Sequence, residues 1–153
     1  MTGTTGTTMR DLGLGPIDQV AYVVENMDRA LPRYEQMFGP FQVTDYEMKG
    51  CTFEGRPCDC TLRIGLNGSS PVEIELIEVL AGDTPHSEHI KQHGEGLHHV
   101  RFRVDDLEPK VAALETAGYR TVFSKRLDPT MAFAYLEAPP EIGGSVIELL
   151  QMP

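Results

Sequence analysis

The sequence predicts an α+β chain built from two tandem βαβββ modules. A repeat at an offset of 80 residues carries this reading. It sets Ile17-Asp18-Gln19-Val20-Ala21-Tyr22-Val23-Val24 over Leu97-His98-His99-Val100-Arg101-Phe102-Arg103-Val104, so that Val20/Val100, Tyr22/Phe102 and Val24/Val104 match in type. A second echo, at an offset of 73, sets Ile74-Glu75-Leu76-Ile77 over Ile147-Glu148-Leu149-Leu150. A helix-like stretch follows each copy of the first segment and is stopped by a glycine, Gly39 or Gly118. Matching segments at fixed offsets mark copies of one supersecondary unit.

The elements follow in chain order. Residues 1–15, MTGTTGTTMRDLGLG, read as a flexible tail, with neither the basic nor the apolar segment of a signal peptide. The first module, residues 16–80, opens with the strand around Val20 and a helix over 27–38 with Asn26 as N-cap. Pro32 shifts the start of that helix or kinks it. Strands over 41–48 and 58–66 come next, separated by Gly55-Arg56-Pro57, and the strand around Glu75 follows the turn over 67–71. The connector, 81–96, contains a solvated helix in which His89 and His93 stand one turn apart. The second module, 97–153, repeats the order, with Asp106 as N-cap, a helix over 107–117, and strands over 120–125, 131–136 and around Glu148.

Composition narrows the function classes. The chain has 153 residues, 41% hydrophobic and 24% charged, which suits one domain with a buried core. Thirteen basic against 23 acidic residues leave a net charge of −10, so a nucleic-acid partner is disfavoured. No apolar run approaches the ~20 residues of a membrane span, and a cytoplasmic, membrane-free protein is expected. Cys51, Cys58 and Cys60 read as reduced thiols, with a Cys51–Cys58 bridge left open. No GxSxG, Walker A or GxGxxG motif is present.

Strand alternation then sorts side chains by face. Val20, Tyr22 and Val24 face the helix of their module, and so do His98, Val100, Phe102 and Val104. Gln19, with Ala21 and Val23, faces the other way, as do His99, Arg101 and Arg103. Glu73, Glu75 and Ile77 share a face, and Val146, Glu148 and Leu150 share its counterpart. Glu75 and Glu148 stand in otherwise apolar strands, where a carboxylate is costly to bury unless it is paired or holds a cation. Gln19 is equivalent to His99 in the repeat, and Glu75 to Glu148. Strands that curve around one cavity would bring these four together as a mixed N/O set suited to Zn, Ni, Co or Mn.

At these residues the chain resembles the vicinal-oxygen-chelate superfamily of glyoxalases, bleomycin-resistance proteins and dioxygenases. Its likeness is greatest to the methylmalonyl-CoA epimerase branch, through Ile17-Asp18-Gln19-Val20-Ala21-Tyr22, Gly96-Leu97-His98-His99-Val100 and Val146-Ile147-Glu148-Leu149. The resemblance implies a cupped mixed sheet around one divalent metal ion, held by Gln19, Glu75, His99 and Glu148. It also implies a homodimer acting on a small-molecule substrate. The epimerase branch carries His where Gln19 stands, so the ligand set resembles that of eukaryotic glyoxalase I. That branch also has a glutamate base in the strand that here reads Cys58-Asp59-Cys60-Thr61.

The expected chemistry is an isomerase or epimerase reaction, in which a proton is abstracted alpha to a carbonyl through a metal-stabilised enediolate. Glu148 is the candidate base and Asp59 the candidate acid on the opposite face. Arg101 and Arg103 are candidates for a substrate carboxylate or phosphate. The alternatives are a glyoxalase I-type lyase acting on a thiol–aldehyde adduct and a metal-free binding or resistance protein on the same fold.

Overall fold

The computed structural model describes residues 10–68 and 71–153. The first module comprises β1 (Ile17–Val23), α1 (Met27–Phe38), β2 (Gln42–Phe53), β3 (Arg56–Asn67) and β4 (Glu73–Ala81). A connector helix, α2 (Pro85–His93), leads to the second module of β5 (Gly96–Val104), α3 (Leu107–Thr116), β6 (Arg120–Asp128), β7 (Met131–Glu137) and β8 (Val146–Gln151). Each module is therefore βαβββ. A single 3-10 turn, Pro140–Ile142, precedes β8.

The strands close into one barrel in the order β1-β4-β3-β2-β6-β7-β8-β5. Parallel pairs join β1 to β4 and β5 to β8, and the other neighbours are antiparallel. The cup expected from the sequence closes because β2 runs five residues past the expected end at Met48. That extension pairs with β6 only at Thr52–Ser124 and Phe53–Phe123, so the seam is narrow. Opposite the seam, Val20 pairs with Val100, its own repeat equivalent. The two modules are thus related by a pseudo-twofold axis through that pair.

Alternation distributes the apolar residues as their spacing requires. Ala21, Val23, Leu62, Ile77, Phe123 and Leu150 belong to the barrel interior. Tyr22 and Val24 pack with Met27 and Leu76 beneath α1, and Val104 packs with Leu107, Leu114 and Leu149 beneath α3. Residues 1–9 of the expected tail lie outside the described residues. Its far end is anchored: Leu12 is buried in the α3 cluster, and Lys110 Nζ donates to its carbonyl. An apolar side chain within reach of a helix groove accounts for that difference.

Helix ends follow local chemistry. Asn26 Oδ1 accepts from the Arg29 amide at 2.8 Å, and α1 runs unbroken through Pro32. Asp106 occupies the N-cap position of α3 without capping it; Gln151 Oε1 instead accepts from the Leu107 amide at 2.9 Å. Helix α2 is not wholly solvated, as its polar sequence suggested. Thr84 and Ser87 form a capping box, and the first turn drives Pro85 and His86 into the core.

Candidate metal centre

Four contiguous strands, β4-β1-β5-β8, form the wall that carries the polar set. In register, Ala21 pairs with both Glu75 and His99, while Gln19 pairs with Glu73 and Arg101. Arg101 in turn pairs with Glu148. The pseudo-twofold axis exchanges Gln19 with His99, Glu75 with Glu148 and Ala21 with Arg101. All six face the barrel interior. Ala21, completely buried, leaves space between its two polar neighbours because it carries only a methyl group.

His99, Glu75 and Glu148 converge so that one ligand atom from each lies within 4.8 Å of the others. His99 Nε2 stands 3.0 Å from Glu148 Oε2 and 3.7 Å from Glu75 Oε1. Burial pushes the Glu148 carboxyl up to about 7, with the Arg101 charge opposing it. Glu75 is raised well above the ordinary carboxyl range, first by burial and then by the Glu148 charge. Burial lowers His99 to about 3, so its imidazole is neutral at pH 7 and makes no ion pair with either carboxyl.

Gln19 supplies the fourth group. Its Nε2 donates to Glu73 Oε1 at 2.7 Å, while Oε1 is buried with no hydrogen-bond partner. A buried amide oxygen left bare is costly unless something positive meets it. Two carboxyls, a neutral imidazole and a bare amide oxygen on one wall have the donor chemistry of a divalent cation site. Glu75, His99 and Glu148 thus form a group that could hold a divalent ion, with the bare Gln19 oxygen on the same wall.

Two bulges in the β1–β5 ladder supply the supporting groups. The register shifts between Ile17 and Gln19, leaving Asp18 extra, and again opposite Ala21 and Tyr22, leaving His98 extra. Asp18 and His98 are repeat equivalents. Asp18 accepts from Arg101 Nε at 2.9 Å and from Nη2 at 3.2 Å, and it takes Arg103 Nε at 3.2 Å. Arg101 also lies 3.5 Å from Glu73, which orients Gln19. Arg101 is thus bound into the wall, while Arg103 is half exposed beside it. His98 leaves the α3-facing row predicted by alternation and lies against α2 and His99.

Asp59 is not brought to this cluster. Strand β3 turns Cys60 and Leu62 into the core, so alternation sends Asp59 outward, where Oδ1 accepts from the Gly50 amide at 2.9 Å. Cys60 takes the inward position, its thiol pushed up to about 12 by burial. The three cysteines are free thiols, with Cys51 opposite Cys58.

Sequence reading missed Asp18, Glu73, Tyr135 and His86. The Tyr135 ring lies tilted against that of His99, with centroids 4.6 Å apart, and a 3.0 Å hydrogen bond links its hydroxyl to His86 Nε2. The match between Asp18 and His98 in the repeat was a signal for two of the supporting positions. Over the cluster lies a cavity of about 790 Å³ with apolar walls that include Leu62, Ile64 and Phe133, and with Lys49, Arg103 and Lys125 also at its edge.

Residues 18–135 match the family model described as the glyoxalase/bleomycin resistance protein/dioxygenase superfamily. Among solved structures, methylmalonyl-CoA epimerase from Mycobacterium tuberculosis is similar with a TM-score of 0.61 and 22% identity, covering 100% of this chain and 93% of that one. A Streptomyces coelicolor methylmalonyl-CoA epimerase, in complex with 2-nitronate-propionyl-CoA, has a TM-score of 0.64 at 19% identity, with coverage of 91% and 95%. The hypothetical protein BH1468 from Bacillus halodurans C-125 has 0.65 at 20%, with coverage of 90% and 94%. At such identities the likeness is one of fold. No curated protein sequence matches the chain.

Proposed function

This chain belongs to the glyoxalase/bleomycin resistance protein/dioxygenase superfamily, and we propose that it is a divalent-metal-dependent isomerase or epimerase acting alpha to a carbonyl. The unpartnered Gln19 oxygen beside a buried His–Glu–Glu cluster carries this reading. Zn, Ni, Co or Mn would be held by Gln19, Glu75, His99 and Glu148. When bound, such an ion supplies a Lewis acid for the carbonyl oxygen and for the negative charge that develops as the alpha proton leaves.

The protein's own groups do the rest. Glu148, held near neutrality by burial, removes the proton. With Asp59 outside the barrel, Glu75, the carboxyl across the axis, would return it from the other face. The cavity walls exclude water from the reacting carbon, and Arg103 and Lys125 at the edge favour a substrate with an anionic end, such as an acyl-CoA. A pair of identical chains is part of the proposal.

The outward Asp59 also favours a second reading, a glyoxalase I-type lyase. Glu148 alone would move a proton between adjacent carbons of a thiol–aldehyde adduct on one face.

Solvent exchange tests both readings. In D₂O, the zinc-, nickel-, cobalt- or manganese-loaded protein is expected to wash deuterium into the alpha position of a 2-methyl-branched malonyl thioester with inversion. Shift of the proton to the neighbouring carbon of a hemithioacetal would favour the second reading. Exchange with neither substrate under any of the four metals, together with ligand binding that survives Glu75→Gln and Glu148→Gln, contradicts both and leaves a binding protein.

A further inference from the structure

The contact between His98 and His99 joins two Nδ1 atoms, 2.8 Å apart, and both rings are buried. Neutral imidazoles make that bond only when one Nδ1 carries the proton and the other is bare. The two tautomers are therefore locked together. If His99 holds its proton on Nε2, that N–H donates to Glu148, and His98 Nδ1–H donates to His99. If His99 Nε2 presents a lone pair toward Glu75 and Glu148, its proton sits on Nδ1, His98 Nδ1 accepts it, and His98 carries its own proton on Nε2.

The surroundings of His98 permit the second arrangement. Its ring borders another cavity, about 610 Å³, that is also lined by His89, His93 and Glu88. The Pro85 carbonyl, an acceptor only, interacts with a His98 N–H at the start of α2. The bulge places the ring there, because a regular strand would have turned His98 toward α3.

We propose that His98 is a positioning residue that holds the Nδ1 proton of His99, so that His99 Nε2 offers its lone pair to a cation shared with Glu75 and Glu148. This rests on the metal-dependent reading above. In that arrangement His99 carries its proton on Nδ1 and His98 carries its own on Nε2, so both rings are neutral and a cation would meet a lone pair at His99 Nε2.

The test reads the tautomers directly. Nitrogen-15 NMR of the full chain, labelled at histidine, is recorded metal-free and zinc-loaded. Zinc affinity is measured by competition with a chromophoric chelator for wild type, His98→Ala and His98→Asn. The expected loaded state has His99 bound through Nε2 with its proton on Nδ1, and His98 protonated on Nε2. His98→Ala should weaken zinc binding about 10- to 100-fold. His98→Asn, whose Oδ1 can accept in place of Nδ1, should restore most of that loss. Zinc on His99 Nδ1, or His98→Ala affinity within about twofold of wild type, overturns the role of His98 while leaving the metal site standing. Wild-type protein that binds no zinc overturns the metal reading and this proposal with it. If His98→Ala does not fold, the wild-type tautomers and the Asn variant decide.

Discussion

At the scale of single residues the proposed chemistry rests on Gln19 and Glu148. Gln19 is oriented by a chain of charges, Arg103–Asp18–Arg101–Glu73, that ties up its amide N–H and leaves the oxygen bare. Gln19→Leu should therefore lower zinc affinity by about tenfold or more in a chelator competition, because an oxygen donor is lost while the barrel remains packed. In the proposed reading Glu148 would both hold the metal and remove the proton. Glu148→Gln should slow alpha-proton exchange by about 10²- to 10⁴-fold. The same carboxyl gives a pH signature in metal-free protein. Its folded value is raised from 4.5 to about 7, so the folded state retains a proton that the unfolded chain releases. The stabilising contribution is present below about pH 4.5 and is lost as pH rises through about 7. Glu148→Gln, which lacks this dependence, should gain stability relative to wild type as pH rises between those limits. Denaturant melts of both proteins across that range check it, and a pH-independent difference would contradict it.

The elements explain why these residues meet. The shared inward facing of Gln19, Glu75, His99 and Glu148 was legible in the sequence because β1, β4, β5 and β8 keep the period of two and because each of these positions recurs in the repeat. His99 could be separated from His98 on parity alone. The supporting groups were less legible, since a bulge breaks that period: Asp18 and His98 each occupy the extra position in the β1–β5 ladder. Asp59 was misplaced for the opposite reason. Its strand alternates regularly, but the neighbouring cysteines, Cys60 buried and Cys58 partly buried, take the inward positions. The burial of His86 was hidden because the polar sequence of α2 gives no strong apolar face, and it is the capping box that aims the first turn inward. The join between β4 and α2 is itself constrained. Gly82 has φ of 91°, and a Cβ there would lie 2.4 Å from the Asp59 carbonyl oxygen. Gly82→Ala should cost about 2 kcal/mol or more in denaturant unfolding, from backbone strain together with the clash. Asn26→Ala removes the α1 cap and should cost about 1 kcal/mol.

On the scale of the whole molecule, the barrel places one module's Gln–Glu pair against the other module's His–Glu pair, so neither half contains the complete set. The βαβββ repeat was visible in the chain, whereas its closure into a barrel depended on the long β2 and its two-residue seam with β6. A bound ion would join the modules opposite that seam, where β1 meets β5. Zinc at about a thousandfold excess over its Kd should therefore stabilise the fold by about 4 kcal/mol, seen as a rise in Tm that His99→Ala abolishes. No helix among the described residues is long and apolar enough to cross a membrane. Elemental analysis of tag-free protein, beside a His99→Ala/Glu148→Ala double variant, tests the central claim most directly. The account predicts about one divalent ion per chain in the wild type and none in the variant. Wild-type protein that stays metal-free after soaking with Zn, Ni, Co and Mn, or a variant that retains the ion, would contradict it.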